Sequence, residues 1–287
     1  MVSRPDFLFI GGDRCGSKWL HRMLDSHPNI LVPHLADPYY FDRFYERGWD
    51  WYSALFTGAP AKADVRAAGE LSHDYIFSFI AAERIAKDLP DVRMIATLRQ
   101  PLDKAYSAFG ASRNAGEMKG EFSEALLNYD VLREQMYYGA ALEPYYRLFP
   151  ADRFKILNYD DLMDRPRWFT EQVLEFLGVR LVDGVIWEEV FNAARKPRTP
   201  IAGVIAKNLA HLARAMRAEA ALGYLKRSRI VRGIFYSTLE KKPRGQVRRA
   251  VFETLRPSLD EDIRRLQAMT GVDFSPWLEH ERYIDIV

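Results

Sequence analysis

The stretch FLFIGGDRCGSKW at residues 7–19 constrains the fold of this 287-residue chain more than any other. Its first four apolar residues run into a pair of glycines, which is typical of a short buried strand that ends in a tight turn. Residues 17–25 then place their apolar side chains on one helical face, and His27-Pro28 follows as a stop. A strand, a glycine-rich turn and a helix in this order predict a βα unit whose turn can bind an anion.

Strands and helices alternate along the rest of the chain. Buried strands are predicted for RMIATL (93–98) and RFKILNY (153–159), and helices for residues 77–88, 102–114 and 167–177. The aromatic-rich region after the first helix has the composition of loops. The alternation predicts an α/β, P-loop-like three-layer fold, in which a central parallel sheet is flanked by helices and followed by a helical C-terminal extension.

The composition predicts one domain and a reducing compartment. We find no clear linker, so the predicted domain spans residues 1–287. Residues 195–249 carry 15 Lys and Arg against two acidic residues, and they predict a basic helical insertion or substrate-side extension. The single cysteine, Cys15, excludes an intrachain disulfide. Since neither a signal peptide nor an apolar run of membrane-spanning length is apparent, we expect a cytoplasmic protein.

The turn GGDRCGSK differs from the phosphate-binding loop G-x-x-x-x-G-K-[ST] by an exchange of two letters. Gly11 and Gly16 keep the spacing, but Ser17-Lys18 reverses the order that holds magnesium in nucleotide-hydrolysing enzymes. The strand RMIATL runs into Arg99, where a magnesium-linked acid would stand, and this cation favours a second anion. With Ser107 in the next helix, the sequence predicts two anion sites at one sheet edge and no metal ligand.

Several ordered segments make the chain similar to sulfotransferases that use 3′-phosphoadenosine 5′-phosphosulfate (PAPS). They are FLFIGGDRCGSKWLHRMLDSHPNI, ADPYYFD, GWDWYSALF, GELSHDY, RMIATLRQPLDKAYSAF and LRPSLDEDIRRLQAMTGVDFSPWL. The branch it resembles contains bacterial sulfotransferases and the glycan sulfotransferases related to heparan sulfate modification. The resemblance implies PAPS as donor, 3′-phosphoadenosine 5′-phosphate (PAP) as product, and no metal.

The resemblance also implies a donor site at both anion segments. The loop around the 5′-phosphosulfate matches Arg14, Cys15, Gly16, Ser17, Lys18 and Trp19. Arg14 stands where many members carry lysine, and it is predicted to be catalytic as well as donor-binding. Arg99 and Ser107 match the ligands of the 3′-phosphate. Arg195 and Lys196 lie where the family often closes a basic loop over the nucleotide.

The acceptor side is predicted from HLADPYYFD and GELSHDY. In glycan-type relatives a glutamate before an aromatic pair serves as the base, and Asp37 aligns with it. His34 is the alternative base, because histidine has this role in other branches of the family. The predicted acceptor contacts are Glu70, Ser72, His73, Tyr40 and Arg113.

The resemblance implies an enzyme that moves the sulfuryl group of PAPS to a hydroxyl, less readily an amine, of a small-molecule or glycan acceptor. A P-loop-type kinase or NTPase is one alternative, and a basic protein that binds nucleic acid or membranes is another. Few aromatics accompany the basic residues, so we expect no nucleic-acid partner. A peripheral contact with a membrane or a lipid-like acceptor stays open, and the sequence predicts no oligomeric state.

Overall fold

A central sheet of five parallel strands organises the protein. The computed structural model describes residues 4–57, 59, 62–188, 195–197, 236–238 and 246–285. The order of the strands in the sheet is β2-β3-β1-β4-β5. Their bounds are β1 (Phe7–Gly11), β2 (Ile30–Leu31), β3 (Ala67–Leu71), β4 (Arg93–Leu98) and β5 (Phe154–Asn158). The α/β fold class predicted from the sequence is confirmed.

Successive side chains of the strands point alternately into two separate cores, one on each face of the sheet. Leu8 and Ile10 of β1 point into the larger core, whereas Phe7 and Phe9 point into the smaller one. Ten helices precede residue 177 among the described residues: α1 (Ser17–Ser26), α2 (Tyr40–Arg43), α3 (Gly48–Thr57), α4 (Phe79–Asp88), α5 (Pro101–Asn114), α6 (Phe122–Asn128), α7 (Asp130–Glu134), α8 (Tyr138–Leu148), α9 (Tyr159–Asp164) and α10 (Pro166–Phe176). Helices α1 and α10 cover the smaller core, and α4, α5 and α8 cover the larger one, so the three-layer arrangement is also confirmed.

The strand β3 and the helix α3 are two elements that the sequence does not predict. The strand reads AAGEL and carries no β-branched residue. Its Gly69 lies so close to β1 that an added Cβ would sit 2.3 Å from the carbonyl oxygen of Phe7. Close backbone packing therefore replaces the side-chain pattern by which strands are recognised. The segment GWDWYSALF, assigned to loops by its aromatics, forms α3 and packs those rings into the larger core.

A long helix, Arg249–Thr270, forms the described part of the helical C-terminal extension and packs against α8. Buried Asp262 of this helix accepts hydrogen bonds from the backbone N–H groups of Gly139 and Ala140, each 2.8 Å long. These N–H groups belong to the first turn of α8 and have no partner within their own helix. The carboxylate therefore joins the extension to the sheet domain.

Most of the basic segment 195–249 lies outside the described residues, including its predicted helix. Two short strands within it, β6 (Arg195–Pro197) and β7 (Tyr236–Thr238), pair antiparallel. A further parallel pair joins β8 (Val247–Arg248) to β9 (Ile284–Asp285). Among the described helices, none combines the length and the hydropathy that a membrane crossing needs.

Candidate active site

Four segments meet at the carboxyl edge of the sheet. The loop GDRCG follows β1, Ser72-His73-Asp74 follows β3, Arg99 follows β4, and Tyr159 follows β5. Because the strands are parallel, their carboxyl ends share one edge, which is where open α/β sheets bind ligands. The two anion segments predicted from the sequence therefore lie side by side.

The loop after β1 ends at an open helix N-terminus. Gly16 adopts a left-handed conformation (φ 90°), and no side chain of the described residues caps the helix. An added Cβ at Gly16 would lie 2.8 Å from Cδ2 of Leu162, so a larger residue would strain both backbone and packing. The first helical hydrogen bond is Leu20 N–H to Gly16 O, 3.0 Å long, which leaves the N–H groups of Ser17 and Lys18 available to an anion.

Two residues predicted to bind the donor, Cys15 and Trp19, have buried side chains. The Cys15 thiol donates to the carbonyl oxygen of Asp13 over 3.2 Å, and burial raises the pKa of the thiol to about 11. It is therefore a neutral packing group at physiological pH. The Trp19 indole packs edge-to-face on Phe169 with ring centroids 5.7 Å apart, inside the smaller core. The side chain of Trp19 thus lies inside the protein, and only its backbone lies in the first turn of α1.

A hydrogen bond links the two anion segments. Nε of Arg14 donates to Oγ of Ser107 over 3.1 Å, so the loop after β1 contacts the helix after β4. Arg14 itself has a left-handed backbone (φ 62°). The guanidinium of Arg99 lies 5.0 Å from the ring centroid of Tyr159, which holds this cation at the same edge. Lys18 is exposed at the start of α1.

On the acceptor side, Asp37 and His73 form a close pair. Nδ1 of His73 lies 2.5 Å from Oδ1 of Asp37, and the Asp37 backbone N–H donates to Leu71 O over 2.9 Å. Nε2 of His73 lies 2.9 Å from the hydroxyl of Tyr39. Asp37 and Tyr39 both have positive φ, 60° and 54°. This backbone turns the Asp37 carboxylate towards the loop after β3, and it explains how residues 36 positions apart meet.

Charges around the pair hold it in its ionised form. Burial disfavours the charge of Asp37, but the hydrogen bond and charge of His73 outweigh it, and the pKa of Asp37 falls below its usual value. Lys18 adds to this effect. Burial likewise opposes the charge of His73, but Asp37 outweighs it, helped by Asp13 and Asp74, whose carboxylates lie 3.7 Å from Nε2. The pKa of His73 rises to about 9.

The polar residues Glu70 and Ser72 lie beneath this pair and are fully buried. The Ser72 hydroxyl donates to Oε2 of Glu70 over 2.9 Å and accepts the backbone N–H of Tyr39 over 2.9 Å. Burial raises the pKa of Glu70 to about 8. Glu70 and Ser72 therefore hold the backbone of Tyr39 in place. Because both are fully buried, they can influence an acceptor only through Tyr39 or His73.

The other predicted acceptor-side residues are spread out. The ring of Tyr40 stacks on Tyr52 at 4.4 Å inside the larger core, so Tyr39 is the tyrosine that contacts His73. Arg113 is exposed near the end of α5, with its guanidinium 6.0 Å from the Phe109 ring. His34 is half-buried, three residues before Asp37. Their roles as acceptor contacts or base stay predictions.

The sequence analysis assigned no role to Lys104, which is buried with 1% exposure near the same loop. Its position in RQPLDKAYS, one helical turn before Ser107, was the available signal. Arg195 and Lys196 are described only as backbone of β6, so their contact with a nucleotide stays a prediction. The described residues contain no group of three or more His, Cys, Asp or Glu side chains suited to a metal ion.

Known proteins share this architecture and its motifs. The family model described as sulfotransferase domain matches residues 4–199. Human heparan sulfate glucosamine 3-O-sulfotransferase 6 is 25% identical over 186 residues, covering 62% of this chain and 53% of that protein. Human bifunctional heparan sulfate N-deacetylase/N-sulfotransferase 2 is 26% identical over 196 residues, covering 61% of this chain and 22% of that protein.

This chain thus spans about half the length of the first relative and about a fifth of the second. The crystal structure of a sulfotransferase from Alicyclobacillus acidocaldarius superposes with a TM-score of 0.68 at 21% identity, covering 96% of this chain and 99% of that one. It has the same fold. Because the family model matches more than half of its residues, this chain belongs to the sulfotransferase domain family.

Proposed function

We propose that this protein transfers the sulfuryl group of PAPS to a hydroxyl, less readily an amine, of a small-molecule or glycan acceptor. The observation that carries the proposal is the contact between Arg14 and Ser107, which joins two anion-binding segments at one sheet edge. A donor with phosphate-like groups at both ends of one nucleoside needs two such segments a short distance apart. Family membership supports PAPS as that donor.

The residues at the edge suit this donor. The N–H groups at the start of α1 and the guanidinium of Arg14 would hold the 5′-phosphosulfate. Arg99 and the Ser107 hydroxyl would hold the 3′-phosphate. The end of β4 carries the cation Arg99 where a nucleotide-hydrolysing enzyme needs a magnesium-linked carboxylate. For this reason the kinase or NTPase alternative is not favoured.

Transfer would proceed by in-line displacement at sulfur. The acceptor oxygen forms a bond to sulfur while the bond from sulfur to the bridging oxygen breaks, and PAP leaves. Arg14 and the loop N–H groups stabilise the charge that develops on the bridging and sulfuryl oxygens. The Asp37–His73 pair accepts the proton of the acceptor hydroxyl. At neutral pH this is an ion pair in which Oδ1 of Asp37 contacts the imidazolium, so the proton goes to Oδ2 of Asp37.

The donor site does not identify the acceptor. The names of two relatives specify 3-O- and N-sulfation of heparan sulfate, which supports a glycan hydroxyl or amine as the group to test first. A small natural product with a hydroxyl group is the second class of acceptor to test. A cytoplasmic location and a peripheral membrane contact stay predictions from the sequence.

Turnover of PAPS labelled in its sulfuryl group tests the proposal. The protein should release PAP and move the label to at least one member of a panel of glycan and small-molecule hydroxyls, without added metal. Arg99→Ala should abolish this transfer, whereas Arg167→Ala, which changes an exposed arginine of α10 paired with Glu171, should retain it. Transfer of phosphate from ATP and magnesium, with no turnover of PAPS, would overturn the proposal in favour of a kinase.

A further inference from the structure

Lys104 is a buried cation that has no ion-pair partner among the described residues. It lies in the first turn of α5 with 1% exposure. Its ammonium donates to the side-chain oxygen of Gln135 and lies 5.0 Å from the ring centroid of Phe77. Within the described parts of the chain, no carboxylate lies within ion-pair distance of it. A buried ammonium that has only a neutral amide and an aromatic face for partners is costly to maintain.

Lys104 lies beneath the loop after β1. The Phe77 ring under its ammonium is 6.2 Å from the Tyr138 ring, and the Tyr138 hydroxyl is 4.0 Å from Sγ of Cys15 in the loop. Burial has the largest effect on the pKa of the Cys15 thiol, and among the charged groups around it Lys104 has the largest. The ammonium therefore acts on the same turn of backbone that presents Arg14 and the open N–H groups of α1.

Three titratable groups act on the charge of Lys104 within the part of the chain that the structure describes. Cys15 and Asp13 belong to the loop after β1, and Asp74 belongs to the segment after β3. The thiol is neutral. Both carboxylates lie 3.7 Å from Nε2 of His73, so their charge stabilises the imidazolium of His73. Among the described residues, these carboxylates thus act on Lys104 only from beyond ion-pair distance.

We propose that Lys104 is the buried counter-charge for the phosphosulfate end of the donor, and that an anion in the loop after β1 supplies the charge its surroundings lack. This inference rests on the proposed function. It makes Lys104 a positioning residue, because its ammonium acts through the loop and does not touch the donor. It also predicts that donor binding and the protonation of Lys104 are coupled.

The coupling has a sign that follows from burial. Burial lowers the pKa of Lys104 to about 8 in the free protein. The bound anion favours the charged ammonium and raises that pKa, so binding above pH 8 must take up a proton. Affinity for PAP should therefore fall as the pH rises above about 8, and the free protein should carry a destabilising charge at neutral pH.

Calorimetric titration with PAP in buffers of different ionisation enthalpy measures this coupling. The wild-type protein should take up little at pH 7 and more than about half a proton per PAP near pH 8.5. Lys104→Met should bind PAP about 10- to 100-fold more weakly at pH 7, the range expected for loss of one charge at an effective dielectric constant near 20. Near pH 10, where wild-type Lys104 is neutral, the two proteins should converge.

Three further variants separate charge from structure. Lys104→Arg should keep most of the affinity, and Lys104→Gln, which retains a polar contact with Gln135, should lose as much as Lys104→Met. Lys104→Met should also raise the melting temperature of the free protein by a few degrees. His73→Gln identifies any proton taken up by His73, whose own pKa is about 9.

The inference is overturned if Lys104→Met binds PAP as tightly as the wild type at pH 7, or if Lys104→Gln restores affinity. Proton uptake that Lys104→Met leaves unchanged also overturns it. In each of these cases PAP still binds, so the proposed function survives. A wild-type protein that binds no PAP at any pH would instead remove the proposed function, and this inference with it.

Discussion

The hydrogen bond from Arg14 to Ser107 predicts that the two ends of the donor site act as one unit. The perturbations are Arg14→Met, Ser107→Ala and the double variant. Nε of Arg14 donates over 3.1 Å, and a charged donor at a partly buried site makes this a stronger bond than a neutral pair. Hydrogen bonds that involve a charged group contribute about 1.5–3 kcal/mol.

The bond holds both side chains in place before the nucleotide binds, so each single variant loses this preorganisation as well as its own contact with the nucleotide. The double variant can lose the bond only once, so the two single effects overcount it. We expect a coupling free energy of about 1–2 kcal/mol for PAP binding. In affinity, the double variant should bind about 5- to 30-fold better than the product of the single losses predicts, since about 1.4 kcal/mol is a factor of ten.

Calorimetric titration with PAP on all four proteins measures the coupling. Arg113→Ala serves as the matched control, because that arginine is exposed near the far end of the helix that carries Ser107. It should bind PAP as the wild type does. Single effects that add to within about 0.3–0.5 kcal/mol would refute the reasoning, since additivity at that level is typical of independent sites.

Four further variants probe the site and its support. His73→Gln should reduce the free energy of unfolding by up to about 3 kcal/mol at neutral pH, because the raised pKa of about 9 stabilises the folded state below pH 6.5. This contribution disappears as the pH rises through 9, so urea unfolding at pH 7 and pH 10 checks it. Asp37→Asn should lower kcat by about 100-fold or more and leave the Kd of PAP within about twofold. Gly16→Ala should lower stability by about 1–3 kcal/mol, because the added methyl combines positive φ with the 2.8 Å contact to Leu162, and thermal unfolding would detect it. Glu70→Gln should change stability little at pH 5 and should stabilise the protein increasingly up to about pH 8, because the cost of the raised pKa builds between its usual value of 4.5 and about 8 and glutamine avoids it. An unchanged pH profile of unfolding would contradict the buried-acid interpretation.

The parts of the fold that the sequence predicts well are those encoded locally. The strand β1, the turn up to Gly16 and helix α1 follow from apolar runs, glycine spacing and one apolar helical face within a few turns of chain. Likewise Arg99 and Ser107 belong to one strand–helix junction, and the strand that precedes them has a clear buried pattern. Parallel strands then bring the two junctions together, as the sheet confirms.

The parts that the sequence does not predict depend on contacts between distant residues. The pairing of Asp37 with His73 needs two positive φ values and a loop from a strand, β3, that carries no strand pattern. Tyr39 and Tyr40 are adjacent in the sequence, yet Tyr39 contacts His73 and Tyr40 packs in the larger core, because the backbone turns between them. The burial of Lys104 likewise arises from tertiary packing on a helix whose pattern allows exposure there.

The most direct measurement of the central claim is the binding of PAP to the wild-type protein and to Arg99→Ala, with and without EDTA. We expect micromolar binding that EDTA does not change and that Arg99→Ala weakens by about 10- to 150-fold, as for the loss of about 1.5–3 kcal/mol from a charged phosphate ligand. Absence of PAP binding, or binding of nucleotide only in the presence of magnesium, would contradict a donor site built from Arg14, Arg99 and Ser107.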